Sequence, residues 1–213
     1  LRTSRGLGDV YKRQASIDIN KVLCLTGDQP GEDGPKAVNE FNGASLIELI
    51  KILNLGKITD GTKINSPKQI FAGAADDLYT HQHNPEAINS LISKINSGAK
   101  FVQTQYCFDV EVIKFYSDLL LDNGKDNSWK VLVGMGPLKS AKQADWMRKN
   151  LWGINISDEI INRKHNSEDS ILEGENICIE LIDQIKDLSG IDGVHLMGPN
   201  CESQSANIIK ALI

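Results

Sequence analysis

The stretch Val22-Leu23-Cys24-Leu25-Thr26-Gly27-Asp28-Gln29-Pro30 decides the architecture. Four apolar residues in a row are too few for a helix, and being apolar on both faces they read as a strand covered on each side, as in a parallel sheet. The run then opens into small and polar residues, the mark of a strand end leading into a loop. The same design returns at Ile70–Ala75, Phe101–Gln105, Val131–Val133 and Val194–Met197. Five strands are therefore expected.

Amphipathic segments with readable punctuation lie between the runs. Asn84-Pro85 opens a helix with a cap and a proline in its first turn; Ile88, Leu91, Ile92 and Ile95 form its stripe and Gly98 closes it. Asp109 caps a helix carrying Ile113, Tyr116 and Leu120, and Ser140 with Gln143 makes a capping box ahead of Ala144, Met147 and Leu151. A stripe of Cys178, Leu181, Ile182, Ile185 and Leu188 ends at Ser189-Gly190, and a last helix is expected at Ser203–Ile213.

Strand and helix alternating in this way give an α/β fold, either an open doubly wound sheet or a (β/α)8 TIM barrel. Five strands do not close an eight-stranded barrel, so in the barrel reading the chain is incomplete, holding about five C-terminal βα units, with the first three strands missing upstream of Val22. No repeat or linker divides residues 21–213, which read as one partial-barrel domain. Leu1 to Gln14, LRTSRGLGDVYKRQ, has neither helical nor strand periodicity and is expected to be a non-native or disordered leader.

The chain has 213 residues, 40% of them hydrophobic, and a formal charge of -5 with no concentrated basic stretch, which argues against nucleic acid or an anionic membrane as partner. No apolar run reaches the roughly 18 residues of a membrane helix. Cys24, Cys107, Cys178 and Cys201 are widely spaced, with no C-x-x-C pair, and read as reduced, packed thiols of a cytoplasmic protein. A small-molecule ligand is the expectation.

In both α/β architectures ligands sit beyond the C-terminal strand ends. Those positions here hold Thr26-Gly27-Asp28, Ala72-Gly73-Ala74-Ala75 and Thr104-Gln105. His81-Gln82-His83 has the look of a metal pair but offers no third ligand at a plausible spacing, so it reads as a surface loop and no metal is expected. Gly134-Met135-Gly136-Pro137 lacks the Lys-Ser/Thr of a phosphate loop and reads as a tight strand-to-helix turn. His195, inside an apolar strand, is either a core histidine or one that faces the pocket.

The segments VLCLTGDQP, FAGAA followed by NPEA, SGAKFVQTQYCFD, VLVGMGPLKSAKQADWM, EGENICIELI and GVHLM resemble, in order and spacing, those of methylenetetrahydrofolate reductases. The last two are more similar to the acetogen-type enzymes than to the enteric ones. The resemblance covers Lys21 to Ile213. It implies a TIM barrel holding a flavin at its C-terminal mouth, FAD with FMN as the alternative, and passing reducing equivalents from NAD(P)H to 5,10-methylenetetrahydrofolate to give 5-methyltetrahydrofolate, in one-carbon and methionine metabolism.

By the same resemblance Asp28 is the catalytic carboxylate that favours the cationic iminium form of the folate, and it touches both flavin and substrate. Gln105 is the amide that contacts the pterin. Thr26, Gly27, Gly43, Ala74, Ala75, Asn84, Ala87 and Lys94 fall at cofactor positions, with Gly27, Gly43 and Gly73-Ala74-Ala75 giving the flavin access to main chain and Lys94 meeting its phosphates. The enteric enzymes have histidine at Asn84, and acidic, Asn and Arg residues where this chain has Ala87, Ser90 and Ser93, which opens FMN or weak FAD binding. The family's general acid, a glutamate on the first barrel strand, has no counterpart before Asp28, so the chain alone is expected to lack the proton donor. A homo-oligomer or a partner chain is a further expectation. The alternatives are a short folate- or flavin-binding protein without chemistry of its own, and a folate- or corrinoid-linked methyl-transfer barrel.

Overall fold

The computed structural model describes residues 16–26 and 40–213. The leader 1–14 and the pair Gly27-Asp28 lie outside the described residues. The strands are β1 (Lys21–Cys24), β2 (Phe71–Asp76), β3 (Phe101–Tyr106), β4 (Lys130–Met135) and β5 (Gly193–Leu196), in a sheet of order β1-β2-β3-β4-β5. The helices are α1 (Gly43–Asn54), α2 (Leu78–His83), α3 (Ile88–Ser97), α4 (Val110–Asp122), α5 (Ala141–Asn150), α6 (Asp158–Asn166), α7 (Ser170–Ile185) and α8 (Glu202–Leu212). All five expected strands are present, with ends displaced by one or two residues. The chain divides into two compact units, Leu1–Ala74 with Ile92–Phe101, and Ala75–Leu91 with Val102–Ile213.

In the first unit β1 and β2 pair in parallel, Lys21 opposite Phe71 through Cys24 opposite Ala74. Cys24, Ala72 and Ala74 turn their side chains to one face, where Ile47 of α1 and Ala99 close the core. Small strand residues let α1 lie near the sheet. Asn54, at the end of α1, donates to the Ile70 carbonyl at 2.9 Å and accepts from Ile70 N–H at 2.8 Å, fixing the entry to β2. Alternation sends Gly73 to the other face, where a Cβ would fall inside the Phe101 ring. The room expected there for a flavin is thus taken by an aromatic side chain, and Gly73 serves strand packing.

In the second unit β4 and β5 pair in parallel, Leu132 opposite Gly193 through Met135 opposite Leu196. Val131, Val133 and Met135 are fully buried, as are Ile113, Tyr116 and Leu120 of α4, so the expected stripe of that helix faces the core. Asp109 caps α4, accepting from the N–H groups of Glu111 and Val112. Cys178, Leu181, Ile182 and Ile185 of α7 are buried as well. Cys24, Cys107, Cys178 and Cys201 are free and buried.

Three punctuation marks act differently from their sequence reading. Among the described residues Asn84 makes no side-chain cap; it is the C-cap of α2, its N–H donating to the Thr80 carbonyl, and a 3-10 turn, Pro85–Ala87, precedes α3. At α5, Ser140 does accept from Gln143 N–H, but the Gln143 amide returns to Lys139 N–H at 2.7 Å rather than to Ser140, so the box closes one residue early. Helix α7 stops at Ile185, before Ser189-Gly190. Gly190 N–H donates to Ser117 Oγ at 3.1 Å, and a Cβ there would lie 2.6 Å from the Ser117 carbonyl oxygen, so the glycine allows close approach to α4.

Candidate functional site

Three expected site residues of the first unit, Thr26, Gly43 and Lys94, meet at the start of α1. Asn42 caps this helix in a reciprocal box with Ser45. Gly43, its first residue, donates N–H to Thr26 Oγ1 at 3.1 Å, joining the end of β1 to the helix N-terminus. A Cβ on Gly43 would lie 3.3 Å from the Cys24 carbonyl oxygen and 3.9 Å from Lys94 Cε. Glycine therefore suits a crowded corner where a strand end, a helix N-terminus and a lysine stem meet. The N-terminus of a 12-residue helix beside a lysine carries positive potential of the sign a phosphate needs, although Gly43 itself is buried. Thr26 is exposed, Lys94 half-buried and Ala74 fully buried, its methyl in the core against Ile47.

In the second unit Ala75 and Ala87 are half-buried and Asn84 is exposed. Gln105, at the end of β3, is half-buried; its Oε1 accepts from Tyr106 N–H at 3.0 Å and its Nε2 donates to the Trp152 carbonyl at 3.4 Å. The buried Thr104 hydroxyl beside it accepts from Gly134 N–H at 2.9 Å. A Cβ on Gly134 would lie 2.7 Å from the Gln105 carbonyl oxygen and 2.6 Å from Met197 Cε, so this glycine is needed where three strand ends crowd. His195 stands opposite Gly134 in the β4–β5 register, its Nδ1 buried and without a hydrogen-bond partner among the described residues.

One cluster escaped the sequence reading. Asp76, the last residue of β2, has a carboxylate oxygen, Oδ2, that accepts from Tyr116 OH at 2.7 Å and lies 2.8 Å from His81 Nε2. Nε2 is the donor, because a carboxylate only accepts. The rings of His81 and Tyr116 stack with centroids 5.4 Å apart, and both residues are at most 1% exposed. Burial, and then the charge of Asp76, pushes the Tyr116 phenol well above its ordinary range. The surface loop expected for His81-Gln82-His83 is therefore corrected: these residues end helix α2, and His81 is drawn inside by Asp76, five residues earlier. The signal was Asp76-Asp77 directly after an apolar strand, with Asp77 capping α2 and Asp76 left to turn inward. Among the described residues no group of three His, Cys, Asp or Glu side chains could hold a metal ion, and no helix is long and apolar enough to cross a membrane.

Comparison with known proteins adds three findings. No curated protein matches the sequence. Among solved structures, a protein of Clostridium thermocellum described as uncharacterized and as binding two copies of 5-methyl-5,6,7,8-tetrahydrofolic acid is similar over 96% of this chain and 78% of its own, with a TM-score of 0.57 and 16% identity. That likeness is one of fold. The model of the family "Methylenetetrahydrofolate reductase" matches residues 2–213, nearly the entire sequence. The chain belongs to the methylenetetrahydrofolate reductase family.

Proposed function

We propose that the protein serves in the flavin-dependent reduction of 5,10-methylenetetrahydrofolate to 5-methyltetrahydrofolate at the expense of NAD(P)H. The observation that carries this reading is the family match over residues 2–213. The corner made by Thr26, Gly43 and Lys94 supports it, being small where a ring system needs backbone access and cationic where a phosphate needs a partner. These three residues of the first unit would hold the cofactor, and Ala75, Asn84 and Ala87 are the residues that the resemblance assigns to it in the second unit, each unit being considered by itself. Ala74 contributes at most through main chain, since its methyl packs in the core.

The flavin supplies the hydride relay between nicotinamide and folate that no side chain can provide. The protein's own residues bind and orient. Asp28 places a negative charge beside the folate and so favours its iminium cation, the better hydride acceptor. Gln105 offers donor and acceptor to the pterin edge: its Nε2 carries a second N–H beside the one given to the Trp152 carbonyl, and its Oε1 a second lone pair beside the one that accepts from Tyr106 N–H. FAD is the proposed cofactor and FMN its alternative.

A second reading, a folate-binding barrel without redox chemistry, draws on the folate bound by the structurally similar Clostridium protein. Absorbance of the purified protein, with chromatographic identification of any released flavin, separates the two. A yellow protein releasing FAD or FMN is the outcome expected. A colourless protein that binds 5-methyltetrahydrofolate and takes up neither flavin would establish the second reading.

A further inference from the structure

The segment between α5 and α6 is held firmly yet leaves its largest side chain uncovered. Trp152 is 85% exposed, whereas Trp129, packed beneath the ammonium of Lys125, is 4% exposed. The backbone around Trp152 is not loose. Its carbonyl accepts from Gln105 Nε2 at 3.4 Å, and the Asn155 carbonyl accepts from Tyr79 OH at 3.4 Å. Gly153, at a φ of 71°, lies so near the Asp77 carboxylate that a Cβ would stand 2.7 Å from its Oδ2. Ile154 and Ile156 are buried on the protein side, and Ile156 is held further by Arg148. Three hydrogen bonds to main-chain carbonyls and two buried isoleucines therefore set a turn whose indole is left exposed.

An indole carried on a fixed backbone loses only side-chain rotamer freedom when a flat partner covers it, and it offers a large apolar face to that partner. What it can cover is set by its neighbour. Gln105, whose amide holds the Trp152 carbonyl, is the residue assigned above to the pterin edge, so a ring engaged by that amide lies beside the turn that carries the indole. We propose that Trp152 is a folate-binding residue whose indole stacks on the planar ring system of the folate engaged by Gln105. The proposal rests on the folate reading of the site and adds a residue to it. Gln105 then has two tasks, facing the substrate and positioning the Trp152 turn.

The test uses the full chain with 5-methyltetrahydrofolate, binding being followed by calorimetry and separately by indole fluorescence. Trp152→Ala should weaken binding by about tenfold or more, the range for losing one aromatic stacking partner. Trp152→Phe should keep affinity within about threefold, because a ring remains, but should abolish most of the ligand-induced quenching. Trp146→Phe, on the exposed face of α5, should change neither. Melting temperatures should stay near that of the parent protein, since Trp152 supports no core. Unchanged affinity in Trp152→Ala, or full quenching in Trp152→Phe, overturns the proposal and leaves the folate reading standing. Absence of 5-methyltetrahydrofolate binding by the parent protein overturns both.

Discussion

Two strand ends of this protein treat their polar groups in opposite ways. At the end of β2, Asp76, His81 and Tyr116 spend their hydrogen bonds on one another and exclude water, with His81 and Tyr116 at most 1% exposed. At the end of β1, Thr26 is exposed, Gly43 carries no side chain, and a lysine stem stands by a helix N-terminus. A polar group satisfied inside the fold contributes to stability and is costly to orphan, while one held at the surface contributes little to folding and exchanges its partner for a ligand at small cost. Burial and partners, more than residue type, separate a structural aspartate from a binding threonine here.

The contrast breaks most visibly at Asp76. Asp76→Ala leaves the His81 and Tyr116 donors buried without their acceptor, and urea denaturation should show a loss of about 3–5 kcal/mol, the sum of two orphaned polar groups. A loss below about 1 kcal/mol would mean that the knot opens to water at little cost. Gly43→Val acts on the other region. Its Cβ would press on the Cys24 carbonyl at 3.3 Å and fill the corner, so flavin retention after gel filtration should fall about tenfold while unfolding changes by less than about 1 kcal/mol. Equal losses in stability would place Gly43 with the structural class.

Smaller still is the effect of Lys94→Gln. Flavin affinity should fall about threefold in low salt and converge with the parent protein in high salt, as for a half-buried charge that still reaches solvent and meets a phosphate. A salt-independent loss would point to packing instead. The smallest effect concerns pH. Lys164 is buried with its ammonium donating to the Ser170 carbonyl, and burial pushes its pKa below the ordinary lysine value of 10.5. A lysine whose folded value lies below its unfolded one penalises folding while both states are protonated. The penalty is relieved as pH rises from the lowered folded value toward 10.5. Stability should therefore show a shallow rise in that alkaline window, and Lys164→Met should remove it; a rise that persists in the variant belongs to another group.

Much of the fold was legible because periodicity is a local property. The runs at Val22, Ile70, Phe101, Val131 and Val194 all became strands, and the Asp109 cap and the Ile113-Tyr116-Leu120 stripe need only their own helix to be recognised. Helix α1 went unassigned although Asn42 and Ser45 form a capping box and Ile47 and Leu53 give it a buried side, a signal present in the letters. The failures at Asn84, Gly73 and Gly190 have a common cause. Each depends on a group distant in sequence or already committed: Thr80, Phe101 and Ser117.

The same division runs through the site. Gln105 and Lys94 could be marked from their segments, whereas His81 looked like a loop residue because its partner Tyr116 is 35 residues away in the chain. Trp152 carried no motif at all. Its interest comes from an indole left bare on a backbone pinned by Gln105, Tyr79 and Arg148, the first two far away in the chain.

The central claim is redox chemistry on folate, and the oxidative half-reaction tests it most directly. The flavin-loaded protein, reduced anaerobically with NAD(P)H, is mixed with 5,10-methylenetetrahydrofolate while flavin absorbance and folate products are followed. The flavin should reoxidise, and one 5-methyltetrahydrofolate should form per flavin. Flavin that stays reduced, with the methylene compound unchanged, would contradict it.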